Sequence, residues 1–373
     1  MTGRPPMAKI PFVNLPHALA GDRTALLGAF QRVLDSGRFV LGTELEQFES
    51  EFAALAGAAH AVGVGNGLDA LYLSLLALGV GAGDEVVVPA HTFIATWLAI
   101  ARCGATPVPV EPDEDTFLVT ADGIASAMGP RTRAVIAVHL YGSTQGIDRI
   151  AALCRGKGVP LIEDAAQAHG ARCADRQAGT HGTAGCFSFY PTKNLGAFGD
   201  AGAVVTDDAR LADSVRVLRN YGSRQKYRHD EAGINSRLDE VQAALLRVRL
   251  RHLPEENLRR QQLAARYLEG LAGLDSVQLP QPGPRGSHVW HLFVVRSPRR
   301  DELQRFLAAR GIETHIHYPL PVYRQPPFAT FAPPEPSVSD RISSSVLSLP
   351  LGMHLQTSDV DIVCEAVRAF TRQ

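Results

Sequence analysis

The 373-residue sequence has almost no net charge and very few amines. It contains 37 Lys and Arg residues against 38 Asp and Glu residues, so the formal net charge is −1. Four of the basic residues are lysines, namely Lys9, Lys157, Lys193 and Lys226. A neutral chain argues against a protein that binds nucleic acid through a broad basic face. A reaction that needs a side-chain amine as nucleophile could use one of these four lysines.

Long hydrophobic runs and paired cysteines are also missing. The apolar run that begins at Phe93 is interrupted by Arg102, well short of the roughly 18 residues that a membrane helix needs. The first 12 residues contain prolines and no long apolar segment, so we predict no signal peptide. The five cysteines are scattered without a CxxC pair, which favours reduced thiols over a disulfide scaffold or a zinc site. We therefore predict a cytoplasmic protein without a metal site.

Helical and strand-like patterns alternate from about residue 43 to residue 206. Short apolar runs typical of strands occur at 61–64, 85–89, 106–110, 134–138, 160–163, 186–190 and 202–206. This rhythm predicts an α/β fold with a mostly parallel sheet that helices cover on both faces. Sheets of this kind bind ligands beyond the carboxyl ends of their strands.

The second part of the chain predicts a smaller unit. A Pro/Gly-rich segment at 279–287 precedes a predicted strand at 288–295 and a helix at 299–310, and the segment 326–336 is predicted to be an exposed loop. We predict a large domain over residues 1–245, including an N-terminal arm, and a smaller C-terminal α/β domain over residues 246–373.

Two local motifs concern helix starts. The sequence TELE, from Thr43 to Glu46, predicts a capping box at the start of a helix. The sequence GVGNG at 63–67 resembles a dinucleotide fingerprint but lacks its third glycine, since positions 66 and 68 are Asn66 and Leu68. What remains is a glycine turn and a helix start near Gly67, which suits one phosphate. A purely structural turn is the alternative.

An acid and a lysine follow two apolar strands. Asp164 comes directly after the apolar run PLIE. Its carboxylate is therefore expected to face a ligand site or, alternatively, to cap the N-terminus of the next helix. Lys193 follows an aromatic strand and precedes several glycines. A solvated loop lysine is one interpretation. A desolvated lysine with a lowered pKa is the other, and it can form a Schiff base. The lysine, the acid and the phosphate-binding turn near Gly67 together fit pyridoxal phosphate chemistry.

The chain also resembles a known family: the pyridoxal-phosphate-dependent nucleotide-sugar aminotransferases of the DegT type, within fold type I. The resemblance extends from about residue 10 to residue 370. It rests on the motifs GNGLDAL (65–71), GDEVVVPAHTFIAT (83–96), VHLYG (138–142), IEDAAQAHGA (162–171), FSFYPTKNLGAFGDAGAVVT (187–206), NYGS (220–223), NSRLDEVQAA (235–244) and IHYPLP (316–321).

The resemblance implies roles for individual residues around the cofactor ring. Lys193 would be the lysine that bonds to the cofactor and moves protons. Asp164 would pair with the ring nitrogen, and Gln167 would bond to the ring hydroxyl. Phe93 would stack on the ring.

The resemblance also implies a phosphate site. Its ligands would be the Gly67 and Leu68 backbone, the Ser188 hydroxyl, and Asn235 from the partner subunit of a homodimer with shared active sites. Relatives usually have Thr where this chain has Leu68, so the backbone amides would carry more of the phosphate contact here.

A basic segment is the candidate nucleotide-sugar site. Residues Tyr221, Arg224, Lys226 and Tyr227 lie within NYGSRQKYRH. Either they form a solvated basic loop, or they clamp a diphosphate, because guanidinium groups bind phosphate oxygens bidentately. The resemblance adds His317 and Tyr318 of the HYP motif to the substrate site. For His169, a place in the core and a contact with substrate are both open.

The resemblance implies transamination of a nucleotide-linked keto sugar with L-glutamate as donor. The motifs AQAHG (166–170), FYPTKNLGAFGDAGAVV (189–205) and IHYPLP (316–321) look most like the subgroup that aminates carbon 3, which implies a dTDP-linked 3-oxo-6-deoxyhexose as acceptor. A 4-oxo sugar is the alternative within the family. A sugar dehydratase, a non-catalytic regulatory protein and an NAD-dependent sugar oxidoreductase are further alternatives. Lys193 argues against the first, the intact Asp164, Gln167 and Lys193 against the second, and the incomplete glycine fingerprint against the third.

Overall fold

The computed structural model describes residues 9–373. The prediction about a signal peptide rests largely on residues 1–8, which lie outside this range. The strands in chain order are β1 (His60–Val64), β2 (Glu85–Pro89), β3 (Thr106–Val110), β4 (Thr132–Val138), β5 (Leu161–Asp164), β6 (Arg172–Cys173), β7 (Arg176–Gln177), β8 (Ala184–Ser188), β9 (Gly202–Thr206), β10 (Ser223–Gln225), β11 (Arg228–His229), β12 (Phe293–Arg296) and β13 (Val346–Leu349).

Helices separate many of these strands in the chain. They are α1 (Leu15–Ala18), α2 (Arg23–Ser36), α3 (Thr43–Ala56), α4 (Gly67–Ala77), α5 (Ala95–Arg102), α6 (Ala121–Ala127), α7 (Ile147–Lys157), α8 (Ala209–Leu218), α9 (Glu240–Leu250), α10 (Leu253–Leu271), α11 (Arg300–Ala308), α12 (Val338–Ser345) and α13 (Thr357–Thr371). Short 3₁₀ helices occur at Ala20–Asp22, Leu140–Gly142, Val322–Arg324 and Pro326–Phe331.

The main sheet has seven strands in the order β1-β9-β8-β5-β4-β2-β3. Its strands pair in parallel except where β9 runs antiparallel to β1 and β8. This confirms the predicted mostly parallel mixed sheet. The carboxyl ends of β2, β4, β5 and β8 therefore meet at one edge, where ligands of open α/β sheets bind.

Both faces of the sheet are buried, as its nearly continuous apolar strands predict. In β2, Val86 and Val88 pack with α4 and α5, whereas Val87 packs on the opposite face with α7. Alternate residues of β5 divide in the same way, with Ile162 on the first face and Leu161 on the second. Side chains one residue apart on a strand thus enter different layers.

Helix α3 begins where the sequence predicts, but its cap is different. Thr43 is the first helical residue and Gly42 is the N-cap, and no side-chain cap bond from Thr43 is formed. Instead the Glu240 carboxylate accepts the N–H groups of Gly42, Glu44 and Leu45 at 2.7, 3.0 and 3.1 Å. The predicted capping box is wrong, because a carboxylate almost two hundred residues away satisfies these donors.

The C-terminal part of the chain forms its own packed cluster. Strands β12 and β13 pair antiparallel, and the helices α10, α11 and α13 pack around them. The predicted strand at 288–295 is wrong over 288–292, which instead follow the turn of residues 141–143. There the N–H groups of Val289 and His291 donate to the carbonyls of Gly142 and Tyr141, both at 3.0 Å.

The predicted exposed loop at 326–336 is wrong in its first half. Residues Pro326–Phe331 form a 3₁₀ helix, and Phe328 is buried with its ring 5.3 Å from that of Trp97. The predicted division between residues 245 and 246 falls inside α9, and the two-domain description stays a prediction. No helix within residues 9–373 has the length and apolar character to cross a membrane.

Candidate active site

Lys193 lies in a tight loop after β8. Its backbone N–H donates to the Tyr190 carbonyl at 2.8 Å. A Cβ at Gly196 would lie 2.4 Å from the Pro191 carbonyl oxygen, so the loop requires glycine there. Burial lowers the pKa of Lys193 to about 8, although the nearby Asp164 carboxylate opposes this. A sizeable fraction of this amine is therefore neutral near physiological pH, as a Schiff-base lysine requires.

Hydrogen bonds between buried side-chain amides hold Asn194, the residue after Lys193, in place. Asn194 donates to Asn257 at 2.9 Å and to the Val289 carbonyl at 3.1 Å, and it contacts the His291 ring at 3.1 Å. Asn257 donates in turn to the His169 carbonyl at 2.8 Å. The sequence analysis missed this network, since its members lie far apart in the chain.

His169 has a place in the core of the protein. Its ring is fully buried beside Phe187 and Phe189, and neither ring nitrogen has a hydrogen-bond partner among the described residues. Burial lowers the pKa of His169 to about 3, and the positive charge of Lys193 adds to this. The imidazole is therefore neutral.

Asp164 is the last residue of β5 and is buried. Thr96 donates to its carboxylate at 2.9 Å, and so does the Ala166 N–H at 3.2 Å. Burial raises the pKa of Asp164, and these two bonds and Lys193 partly offset the rise. A turn follows β5, so the alternative that Asp164 caps a helix is wrong. Thr96 was missed, although Thr92 and Thr96 stand one helical turn apart beyond the end of β2.

Gln167 links residues that lie far apart in the chain. Its side chain accepts the Tyr141 N–H at 2.6 Å and donates to the Tyr318 hydroxyl at 3.2 Å. The Tyr141 hydroxyl donates to the His317 carbonyl. The Phe93 ring lies 5.6 Å from the Tyr318 ring and is 54% exposed. An aromatic face is thus left open beside Gln167, where the sequence analysis expects the cofactor ring.

His317 completes this group from the C-terminal part of the chain. Its Nδ1 lies 2.8 Å from the Ser348 hydroxyl. Burial, together with the neighbouring His315 and Lys193, lowers the pKa of His317 to about 4. His317 is therefore neutral in the protein.

The start of α4 is packed against the end of β8. A Cβ at Gly67 would lie 2.6 Å from the Ser188 Cβ, so only glycine allows this approach. Asn66 caps the Asp69 N–H at 2.8 Å. The N–H groups of Gly67 and Leu68 have no acceptor within residues 9–373. Two free N–H groups, a hydroxyl and a helix N-terminus form a cup suited to one phosphate.

A buried contact between a carboxylate and a histidine lies beneath this edge of the sheet. The Glu163 carboxylate contacts the His139 ring at 2.7 Å and accepts the N–H groups of Gly179, His181 and Gly182 at 2.6–2.8 Å. Burial raises the pKa of Glu163, but the bonds from His139 and Gly182 outweigh it and hold that pKa below its usual value. Sequence reasoning missed this pair as well.

The basic segment forms a separate, exposed hairpin of β10 and β11. Arg224 is paired with Asp213, and the Lys226 amine lies 5.1 Å from the Tyr227 ring centre. Tyr221 contacts Arg237 through its ring face at 5.4 Å. Within the described chain, these residues make no hydrogen bond or aromatic contact to Lys193, Asp164 or Gln167. This part of the predicted substrate site therefore lies apart from Lys193, Asp164 and Gln167 within residues 9–373.

Asn235 belongs to the same exposed region. Its backbone pairs with Asn220 at the base of the hairpin, and its side chain is exposed. Its neighbour Ser236 contacts the glycine turn instead, accepting the Gly65 N–H at 3.0 Å. No cluster of three or more His, Cys, Asp or Glu side chains suited to a metal occurs in the described range.

These features can be tested against pyridoxal phosphate. A lysine with a lowered pKa, a buried carboxylate at a strand end and an open aromatic face lie at one edge of the sheet. A phosphate cup that a Cβ at Gly67 would fill lies at the same edge. The residues fit the group. The fold and site are those of a pyridoxal-phosphate-dependent enzyme of fold type I.

Comparison with known proteins defines the family. The model of the DegT/DnrJ/EryC1/StrS aminotransferase family matches residues 22–368. The chain therefore belongs to this family and is an aminotransferase that uses pyridoxal phosphate.

One relative and two solved structures illustrate the similarity. The dTDP-3-amino-3,4,6-trideoxy-α-D-glucose transaminase of Streptomyces venezuelae is 52% identical over 100% of this chain and 99% of its own. The crystal structure of S. venezuelae DesV in complex with a ketimine intermediate has a TM-score of 0.95 at 53% identity, over 98% of this chain and 99% of that one. The structure of NtdA from Bacillus subtilis with bound cofactor PMP has a TM-score of 0.91 at 30% identity, over 100% and 87%.

Proposed function

We propose that this aminotransferase moves an amino group from L-glutamate to carbon 3 of a dTDP-linked 3-oxo-6-deoxyhexose. The observation that carries the proposal is the similarity to the S. venezuelae transaminase, whose name places the amine on carbon 3 and whose whole length is matched at 52% identity. The motifs around Gln167 and His317 point to the same subgroup. The cytoplasmic location stays a prediction.

The residues described above divide the work of such a reaction. Pyridoxal phosphate, when bound, supplies an electron sink next to the carbon that gains or loses the amine. Asp164 would accept a hydrogen bond from the protonated ring nitrogen, with Thr96 and the Ala166 N–H holding its carboxylate. Gln167 would bond to the ring hydroxyl, and Phe93 would cover one ring face.

Lys193 would act as the acid and base. Its neutral amine removes the α-proton of the donor and returns a proton, and the lowered pKa makes both protonation states accessible near pH 8. The N–H groups of Gly67 and Leu68 and the Ser188 hydroxyl would hold the phosphate. Tyr318 and the neutral His317 would border the sugar.

The nucleotide end of the substrate is assigned to a second subunit. We propose a homodimer in which Asn235 and the hairpin residues Tyr221, Arg224, Lys226 and Tyr227 of one protomer reach the site of the other. Their exposure and their separation from Lys193 within one protomer support this arrangement. Full activity in a demonstrably monomeric protein would contradict it.

The acceptor is tested by running the reaction in both directions. The purified protein with pyridoxal phosphate and L-glutamate is incubated with dTDP-3-oxo-6-deoxyglucose or with dTDP-4-oxo-6-deoxyglucose. The reverse reaction uses the matching amino sugars and 2-oxoglutarate, and products are identified by mass spectrometry. We expect the 3-oxo or 3-amino sugar to react at least about 100-fold faster, a difference of roughly 2.7 kcal/mol. Exclusive turnover of the 4-position sugars would show that carbon 3 is wrong.

A further inference from the structure

Asp69 places a negative charge close to the proposed phosphate cup. It is the third residue of α4, and the free N–H groups of the cup belong to the first two, Gly67 and Leu68. The Asp69 Oδ2 accepts the Asn66 side-chain amide at 3.1 Å, and a Cβ at Gly65 would lie 3.8 Å from the same oxygen. This carboxylate is buried, so solvent screens its charge poorly. A buried anion therefore lies beside the glycine turn, within one helical turn of the cup.

This carboxylate and a bound phosphate would compete for the same positive charge. The positive end of the α4 dipole and the free N–H groups attract an anion at the start of the helix. A phosphate group carries about 1.5 to 2 negative charges near pH 7, and Asp69 adds another. Anions that are close together repel each other more strongly where solvent is excluded. Phosphate binding at this helix start is therefore favoured by a cation that offsets the charge of Asp69.

Arg102 supplies this cation from a neighbouring helix. It is the last residue of α5, and its Nη1 lies 2.7 Å from the Asp69 Oδ1. Its guanidinium carbon lies 4.3 Å from the centre of the Tyr72 ring, in the next turn of α4. These two contacts hold the guanidinium against α4, although its side chain is 41% exposed. No other Lys, Arg or His side chain within residues 9–373 forms an ion pair with Asp69.

The other charges around the cup do not replace Arg102. Glu49 and Arg219 lie beside β1 and pair with each other at 2.5 Å, so together they add no net charge. Arg237 donates to the Asn220 side chain at 3.0 Å, at the base of the hairpin of β10 and β11. Asp200 is exposed and therefore screened. Over the described residues, no Lys or Arg side chain donates a hydrogen bond to the cup itself.

We propose that Arg102 is a positioning residue of the cofactor site: by neutralising Asp69, it allows the start of α4 to hold the phosphate of pyridoxal phosphate. The inference rests on the proposed function for the phosphate cup, and it extends that function to a residue that lies behind the cup. Because the effect is electrostatic, it applies to ligands that carry a phosphate and not to the pyridine ring alone. The ion pair would then tune cofactor affinity without touching the reacting atoms.

Arg102→Gln tests this assignment in the full-length apoenzyme. At low ionic strength we expect the Kd for pyridoxal phosphate to rise about 5- to 10-fold, because Asp69 is left without its partner and repels the phosphate. The Kd for pyridoxal, which lacks the phosphate charge, should stay within about twofold of wild type. Arg102→Lys keeps the charge, so its Kd for pyridoxal phosphate should lie closer to wild type than that of Arg102→Gln. Fluorescence titration measures all of these values.

Asp69→Asn gives a prediction of the opposite sign. Removing the carboxylate leaves Arg102 to attract the phosphate, so we expect the Kd for pyridoxal phosphate to fall about two- to threefold. The double variant that combines Arg102→Gln and Asp69→Asn lacks both charges, and its Kd should return to within about twofold of wild type. A purely structural ion pair predicts weaker binding in all three variants, because each loses the link between α4 and α5. The double variant therefore separates the effect of charge from that of structure.

Arg131 provides a matched control for these titrations. It is an exposed arginine paired with Glu85 at 2.5 Å, and Glu85 begins β2 at the edge of the sheet opposite the candidate active site. Arg131→Gln removes a comparable ion pair and should leave the Kd for pyridoxal phosphate within about twofold of wild type.

The outcomes separate the inference from the proposed function. Unchanged affinity for pyridoxal phosphate in Arg102→Gln, an equal loss for pyridoxal, or a double variant that binds no more tightly than Arg102→Gln would overturn the inference. If Arg102→Gln does not fold, Asp69→Asn decides, since tighter binding supports the inference and equal or weaker binding overturns it. Each titration is independent of which sugar is aminated. Failure of the wild type to act on the dTDP-3-oxo sugar would count against the proposed function alone.

Discussion

The proposed site has two parts, the residues around Lys193 and the hairpin of β10 and β11. Their polar side chains differ in burial and in bonding. Around Lys193, polar side chains are buried and bonded within the chain: Asp164 to Thr96, Gln167 to Tyr141. In the hairpin of β10 and β11, the charged side chains are exposed, and Arg224 pairs with a surface carboxylate. The first half is arranged by the fold itself. The second half offers charge and aromatic surface that a single protomer leaves facing solvent.

The difference has an energetic basis. Buried polar groups interact in a low dielectric, so a bond to Asp164 or Gln167 holds its geometry strongly and is costly to lose. Exposed ion pairs are screened and contribute little. A reaction that depends on precisely positioned atoms is favoured by the buried environment around Asp164 and Gln167. Recognition of a mobile diphosphate suits the exposed environment, because surface pairs exchange partners at small cost.

The largest expected effect on activity distinguishes Lys193, in the buried part of the site, from Lys226, in the hairpin. Lys193→Ala should lower kcat at least about 10⁴-fold, since both the nucleophile and the proton carrier are removed. Lys226→Ala should chiefly raise the KM for the nucleotide sugar. Steady-state kinetics measures both, and Lys157→Ala, at the exposed C-terminal end of α7, is the control. Normal turnover by Lys193→Ala would show that the wrong lysine has been chosen.

A smaller effect is expected from packing at the phosphate cup. Gly67→Ala places a Cβ 2.6 Å from the Ser188 Cβ, so we expect pyridoxal phosphate to bind about 10-fold more weakly, in line with overpacking costs of roughly 1–3 kcal/mol. The Kd is measured by fluorescence titration. Gly28→Ala, in α2 with nothing within 4 Å of the added Cβ, is the matched control. Equal affinity in the two variants would contradict the assignment of the cup.

The smallest effect concerns the hairpin. Arg224→Ala should raise the KM for the nucleotide sugar about three- to tenfold with little change in kcat, and added salt should matter less to this variant than to wild type. Tm should not change, because the side chain is exposed. Asp213→Asn removes only the partner of Arg224, so its KM should not rise. A KM for Arg224→Ala equal to that of wild type would remove this arginine from the substrate site.

The sheet and the positions of Asp164 and Lys193 beyond two apolar strands were predictable because their signals are local. Strands β2, β3 and β9 begin and end where their apolar runs do. Asp164 and Lys193 each follow an apolar strand, and the parallel fold brings such strand ends to one edge. Family motifs then supplied the roles of Gln167 and Ser188, which composition alone does not distinguish.

The remaining features depend on partners that are distant in the sequence. Glu240 replaces the predicted cap of α3 from a position almost two hundred residues away. Residues 288–292 have a strand-like pattern, yet they bond to the turn at 141–143 rather than extending β12. Periodicity carries no information about such pairings.

Strand β5 places two neighbouring carboxylates in different layers of the protein. Glu163 anchors the loop at 179–182 on one face, and Asp164 faces the site on the other. A slip of one residue in the pairing of β5 with β4 and β8 would exchange them. In the exchanged arrangement Glu163 would lose its contact with His139 and the bonds from three backbone N–H groups, whereas the Asp164 side offers only the Thr96 hydroxyl and the Ala166 N–H. The bonds of Glu163 therefore favour the strand pairing that places Asp164 at the candidate active site.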